Sequence, residues 1–212
     1  MPQVLPFEKC IERHEAWYER HSHAYRAELA AVRELLPEKG NGVEIGVGTG
    51  RFASPLGIGI GVEPSPSMGK VAAERGIQVV EGVAERLPFP DQSFDFLLMV
   101  NVVCFLDDPI AAFREAWRVL RDGGSLVVGF IDADSPLGRE YQEKKGASPF
   151  YREAHFHTSA ETISWFRAAG FADLAFRQTL FRPLEEINSE EPVREGYGEG
   201  SFVVVRGRKA PH

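Results

Sequence analysis

Three glycines alternate through VEIGVGTGRF, at Gly46, Gly48 and Gly50, directly after a short apolar run that carries a carboxylate, Glu44. Glycine admits positive φ and lets backbone come within contact distance of a ligand, and a helix beginning here would offer unpaired N–H groups to it. A second apolar run, IGIGVE, ends on Glu63, a carboxylate able to accept from both hydroxyls of a ribose. Backbone amides and acids in this pattern point to a nucleoside-containing ligand. The dinucleotide fingerprint wants G-x-G-x-x-G and an acid ~20 residues further on. Here Arg51 stands at its last glycine and Glu63 follows too soon, so a nicotinamide cofactor, and an oxidoreductase with it, is disfavoured.

Proton-transfer chemistry, where a reaction needs it, would fall to His21, His23, His155, His157 or Tyr25. Their spacing singles out none of them, and the catalytic residue stays unassigned. His155 and His157 would share one face of a strand, but no third ligand stands at suitable spacing, so no metal is expected. Cys10 and Cys104 lie far apart and make no C-x-x-C pair, which suits a reducing cytoplasm. Cys104 reads as a small buried hydrophobe.

The 212 residues are 43% hydrophobic, enough for one core and a single domain over 1–212. A formal charge of −7 lacks the basic footprint that a phosphate backbone requires, so nucleic acid is not the expected partner. The N-terminus is charged and interrupted by proline. No segment approaches the ~20 apolar residues of a membrane span.

The elements that must position the glycines and acids alternate along the chain. Trp17, Tyr25, Leu29, Val32 and Leu36 recur at helical steps over Ile11 to Leu36, forming a covering helix before Pro37. NGVEIG, IGIGVE, IQVVEG, SFDFLLMV and GSLVVGFI read as five strands of the nearly continuous apolar kind found in doubly covered sheets. Between them fall a short helical turn around Arg51 to Leu56, a helix capped by Ser65 or Ser67, and a helix opened by Asp107 or Asp108 with Pro109. This order predicts a doubly wound parallel α/β sheet. The polar, Pro- and Gly-containing stretch 132–157 reads as a lid or substrate-side insertion. Thr158 and Glu161 form a capping box, and FADLAFRQTLF with SFVVVRGR predicts a closing pair of strands at the sheet edge.

At VEIGVGTG, GVEPSPSM, GVAERLPFPDQSFDFLLMVNVVCFLDDP and AWRVLRDGGSLVVG, in this order, the chain resembles the class I S-adenosylmethionine-dependent methyltransferases, in particular the small-molecule branch of ubiquinone and menaquinone biosynthesis. The resemblance implies a Rossmann-like, seven-stranded, mostly parallel sheet with an antiparallel edge strand and an N-terminal cap helix. It divides the chain into a cap region (1–40), a cofactor-binding core (41–131), the insertion (132–157) and a C-terminal helix with edge strands (158–212). It implies S-adenosylmethionine as cofactor and a small-molecule methyl acceptor, leaving a homodimer open. By it, Glu44, Gly46, Gly48 and Gly50 surround the methionine portion and Glu63 the ribose, with Pro64 beside it. Met68 lies on one adenine face, Ala84 and Glu85 at the adenine edge, and Asn101 at the start of the acceptor pocket. Val83 stands where relatives often carry aspartate, leaving Glu85 or a water to meet the adenine amino group. Cys104 and Phe105 replace a common His-His. The short helix and these replacements also fit a non-catalytic module that binds the cofactor for regulation or assembly.

Overall fold

The computed structural model describes residues 10–210. The segment before Cys10, part of the N-terminus read above as charged and interrupted by proline, lies outside them. Eight strands form one sheet in the order β3-β2-β1-β4-β5-β8-β6-β7. They are β1 (Gly42–Ile45), β2 (Ile60–Glu63), β3 (Gln78–Glu81), β4 (Phe94–Val100), β5 (Leu120–Ile131), β6 (Phe171–Thr179), β7 (Arg194–Glu195) and β8 (Phe202–Lys209). The first five are mutually parallel. The chain leaves β1 for β2 and β3 on one side and returns to β4 and β5 on the other, which opens a crevice at the carboxyl ends of β1 and β4.

Side chains of β4 alternate between two buried layers, as a pleated strand covered on both faces requires. Leu97 and Met99 join Phe113 and Phe166 on one face, under α5 (Pro109–Val119) and α7 (Ser159–Ala168). Phe96, Leu98 and Val100 join Ala27, Val32 and Leu137 on the other, under α2 (Ser22–Leu35) and α6 (Pro136–Lys144). Two further short helices, α3 (Ala53–Leu56) and α4 (Pro66–Glu74), follow β1 and β2.

Sheet and helices differ from the sequence expectation in strand count, in the N-terminal helix and within 132–157, each for a local reason. The sheet has eight strands rather than seven, because Arg194 and Glu195 add a two-residue strand on β6, too short to show a period. The closing antiparallel pair stands at the β5 end of the sheet, as expected, with β8 between β5 and β6. Its Val203, Val204 and Val205 are fully buried and cover the edge that β5 would otherwise expose. The single helix expected over Ile11 to Leu36 is two, α1 (Ile11–Arg20) and α2, because His21 leaves the helical region with φ −108° and ψ 42°.

Helix starts reuse one device. Ser65 accepts from the Met68 N–H ahead of Pro66, Asp108 from the Ala111 N–H ahead of Pro109, and Ser135 from the Gly138 N–H ahead of Pro136. The third start makes 136–144 a helix within the stretch read as an irregular insertion. At α7 the Thr158 hydroxyl accepts from the Glu161 N–H, and the Glu161 carboxylate accepts from the Thr158 N–H at 2.8 Å. Thr158→Ala removes the hydroxyl half of this box, and a loss of about 1 kcal/mol in urea-melt stability is expected. An unchanged melt would show that the box does not hold the helix end.

Candidate functional site

One cavity of about 780 Å³ opens over the carboxyl ends of β1, β2 and β4, within the range of small-molecule sites. Its sheet-side wall brings together most of the residues that the resemblance singles out: Glu44, Gly46 and Gly48 after β1, Glu63, Pro64 and Met68 after β2, and Ala84, Glu85 and Asn101 beyond β3 and β4.

The wall is set by backbone. The N–H groups of Gly46 and Val47 both donate to the Val62 carbonyl, at 2.8 and 3.0 Å, which turns the chain at the end of β1. Gly48 has φ +54°, and a Cβ there would touch only the Met68 methyl, so the turn is open towards the cavity. Its N–H donates to Glu63 Oε2 at 2.8 Å, while the Ser65 N–H donates to Glu63 Oε1 at 3.0 Å. Each carboxylate oxygen is thereby aimed and keeps a lone pair for a ligand. Gly50 does not line the cavity. A Cβ on it would come within 2.4 Å of Ile77, so that glycine lets the turn pack against the region after α4. Asn101 takes a left-handed φ of 56° and donates its N–H to the Gly129 carbonyl at 2.8 Å, bending the chain away at the end of β4. Glu85 Oε1 accepts from the Asp107 N–H at 2.9 Å, which commits this oxygen to the start of α5.

The opposite wall comes from the cap. α1 contributes His14, Trp17 and Tyr18, α2 contributes Glu28, and the 136–151 stretch contributes Tyr141, Phe150 and Tyr151. Tyr151 stacks on Phe105 (6.1 Å between centroids, 9° between planes) and on Tyr141 (5.2 Å, 25°), forming an apolar side to the cavity.

Acidity is the other property of the site. Burial raises the pKa of Glu63, against hydrogen bonds from the Ser65 and Gly48 amides that lower it. Burial raises Glu44 well above the ordinary carboxylate value, and Glu63 adds to the shift. Burial alone lifts Glu28 to about 8. Buried Oε2 atoms of Glu44 and Glu28 have no hydrogen-bond partner among the described residues. Such a cavity favours a positively charged occupant.

The residues considered for proton transfer lie elsewhere. The Tyr25 hydroxyl donates to the Arg51 carbonyl, and its ring packs on Tyr18 and Phe52. His21 packs on Trp17, and a ring nitrogen of His23 lies 2.7 Å from Arg26. The His155 amide donates to the Cys104 carbonyl, and His157 sits between Glu161 and Trp165. None of the five lines the cavity, because the turn at His21 and the entry to α7 carry them to other surfaces. The histidine that does line it is His14, one turn before Tyr18 on α1. Sequence reasoning passed over it and Glu28. The signal for Glu28 was a carboxylate at a buried step of α2, among Ala24, Ala27, Ala31 and Val32.

Glu15 pins α1 over the cavity. Its carboxylate receives Arg51 Nη2 at 2.6 Å, Arg75 Nη2 at 2.5 Å and the Thr49 hydroxyl at 2.5 Å, joining the cap to the glycine turn and to the end of α4.

The family model described as a methyltransferase domain matches residues 43–128, the glycine turn through β5. The chain superposes on the crystal structure of an S-adenosylmethionine-dependent methyltransferase from Thermotoga maritima, described as a possible histamine N-methyltransferase. The TM-score is 0.95 at 52% identity, over 98% of this chain and 100% of that one. It is 43% identical over 203 residues to the uncharacterized protein MJ1123 of Methanocaldococcus jannaschii, covering 96% of this chain and 98% of that protein. Over 158 residues it is 31% identical to a rice chloroplastic 2-methyl-6-phytyl-1,4-hydroquinone methyltransferase, covering 68% of this chain and 42% of that protein. The chain belongs to the S-adenosylmethionine-dependent methyltransferases, and S-adenosylmethionine is its cofactor. Among the described residues no helix is long and apolar enough to cross a membrane.

Burial pushes the Glu15 carboxyl up, but hydrogen bonds from His14, Arg75, Arg51 and Thr49 more than offset it and hold the group well below its ordinary 4.5. The clamp on α1 is therefore fully present above pH 4.5 and is lost as pH falls towards the lowered folded value. Glu15→Gln is expected to speed amide exchange over Ile11–Arg20 roughly tenfold at pH 7 and to flatten its dependence on pH below 4.5. Exchange identical to the parent would show that Glu15 does not hold α1.

Proposed function

We propose that the sheet-side half of the cavity holds S-adenosylmethionine and the cap-side half holds a small-molecule methyl acceptor, with the N-terminal helical segment from Ile11 and the stretch 132–157 closing over both. The observation that carries this reading is Glu63, whose two oxygens are fixed by backbone N–H groups at the mouth of a turn that carries no side chain at Gly48.

The residues fit the cofactor by shape and by charge. Glu63 would accept from the ribose hydroxyls, with Met68 against the base and Ala84 at its edge. Glu44, buried with an unpartnered oxygen, would face the amino-acid end, and Gly46 and Gly48 would let backbone approach it. Gly50 supports the turn from behind. Glu85 would meet the base through its second oxygen or a water, since its first is held by Asp107. Asn101 and Pro64 complete the wall. Bound there, S-adenosylmethionine supplies a methyl group already activated on a sulfonium. This chain positions the acceptor and excludes water: α1 and the Tyr141 and Tyr151 rings enclose it, and the buried carboxylates oppose the positive charge. None of the five proton-transfer candidates lines the cavity, although His14 does, and alignment of donor and acceptor is the main contribution.

A small acceptor is supported by the enclosed cap-side volume and by the names of the relatives, which act on a hydroquinone in rice and carry histamine in the description of the Thermotoga protein. Two free cysteines, with Cys104 pushed up to about 12 by burial, support an enzyme of a reducing cytoplasm.

Glu63→Ala is expected to weaken S-adenosylmethionine binding by about 1.5–3 kcal/mol in isothermal titration without unfolding the chain. Unchanged affinity would remove Glu63 from the cofactor site. Gly48→Val, placing branches at φ +54° in the cavity mouth, is expected to abolish detectable binding. Normal affinity in that variant would mean that the turn does not approach the cofactor.

A further inference from the structure

Glu28 is a carboxylate that the fold does not use. It sits mid-helix in α2 on the face that buries Ala24, Ala27, Ala31 and Val32, and it is 1% exposed. Its buried Oε2 accepts no hydrogen bond, and no described cation pairs with it. A core position selected for stability alone would not keep an acid there, since a buried polar group without a hydrogen-bond partner is costly. A residue that breaks the local rule with no gain inside the chain marks a partner supplied from outside.

The surroundings say which partner. Glu28 lines the cavity together with Tyr18, Tyr141 and Tyr151, and the last two rings stack on each other. Nearby basic groups do not answer it. Arg51 is committed to Glu15 and Glu19, Lys144 to Glu140, and Arg13 and Arg20 are solvent-exposed on α1. A buried carboxyl among aromatic faces, which ionises when a cation arrives beside it, is an arrangement that binds an ammonium group, by ion pairing and by attraction to the ring quadrupoles. A neutral phenol or hydroquinone would supply no such counter-charge.

We propose that Glu28 is the counter-charge for a protonated amino group on the methyl acceptor, and that the acceptor is a small amine with a flat apolar body lying against Tyr141 and Tyr151. The inference rests on the cavity being the methyltransferase site proposed above. It gives Glu28 a part in selecting the acceptor rather than in holding the cofactor, for which Glu44 and Glu63 stand on other elements.

The test is isothermal titration of protein saturated with S-adenosylhomocysteine, using three amines and their isosteric alcohols: phenethylamine with 2-phenylethanol, tyramine with tyrosol, and hexylamine with hexanol. At least one amine is expected to bind tenfold or more tighter than its alcohol. In Glu28→Gln that preference is expected to fall below threefold, with S-adenosylhomocysteine affinity unchanged. The same variant, without ligands, is expected to melt at or above the temperature of the parent, because an unpartnered ionisable carboxyl has gone from the interior. Equal affinity within all three pairs, no binding by any, or a preference that survives Glu28→Gln would each overturn the assignment. So would a clear fall in melting temperature, the mark of a structural role. Failure of S-adenosylhomocysteine itself to bind would instead remove the proposed function, and this inference with it.

Discussion

Two hydrogen bonds to one carboxylate organise the site. Glu63, at the end of β2, takes the Gly48 N–H on one oxygen and the Ser65 N–H on the other, and so fixes the turn after β1 relative to the start of α4. Because β1 and β2 are paired in parallel, with Glu44 opposite Gly61 and Ile45 opposite Val62, the geometry of the crevice follows from the register of these two short strands. A carboxylate held this way is costly to bury, and the amide bonds offset only part of that cost. What remains is an oriented acceptor facing a cavity, which is what recognition of a polar, cationic molecule needs.

The cap is attached on a different principle. α1 buries no residue of its own, so apolar packing does not decide its position. Its aromatic rings lean on one another, Trp17 on Tyr18 and Tyr18 on Tyr25, and Glu15 binds two arginines and a threonine from the core. Ion pairs and ring edges hold a surface helix less firmly than a buried stripe does. A helix that must let a cofactor and an acceptor in and out suits that kind of attachment. α2, which buries six residues, stays with the sheet.

Stability and recognition are set against each other around the cavity. Glu28, Glu44 and Glu63 are all nearly inaccessible to water, and each has its pKa raised by burial. Among the described residues no arginine or lysine pairs with them; Arg51, Arg75 and Lys144 are spent on Glu15, Glu19 and Glu140. Glu28 and Glu44 each keep a buried oxygen without a partner, where a sulfonium and an amine would have to sit.

Much of the architecture was legible in the sequence. The apolar runs gave five parallel strands because a strand covered on both faces has no polar positions to hide it. The glycine turn and the acid closing β2 were legible because backbone at positive φ and a carboxylate at a strand end stand out in local residue type. Ser135-Pro136 carried the same start signal as Asp108-Pro109, yet its helix was missed, since the surrounding polarity masked it. Only the tertiary structure decided that β8 enters the sheet between β5 and β6, that His21 breaks the cap helix, and that Tyr25 and the paired histidines face away from the cavity. Only it showed that Glu28 and His14 face the cavity. These depend on how residues distant in the chain meet, and side-chain direction across a packed interface leaves no period or motif along the sequence that could be read in advance.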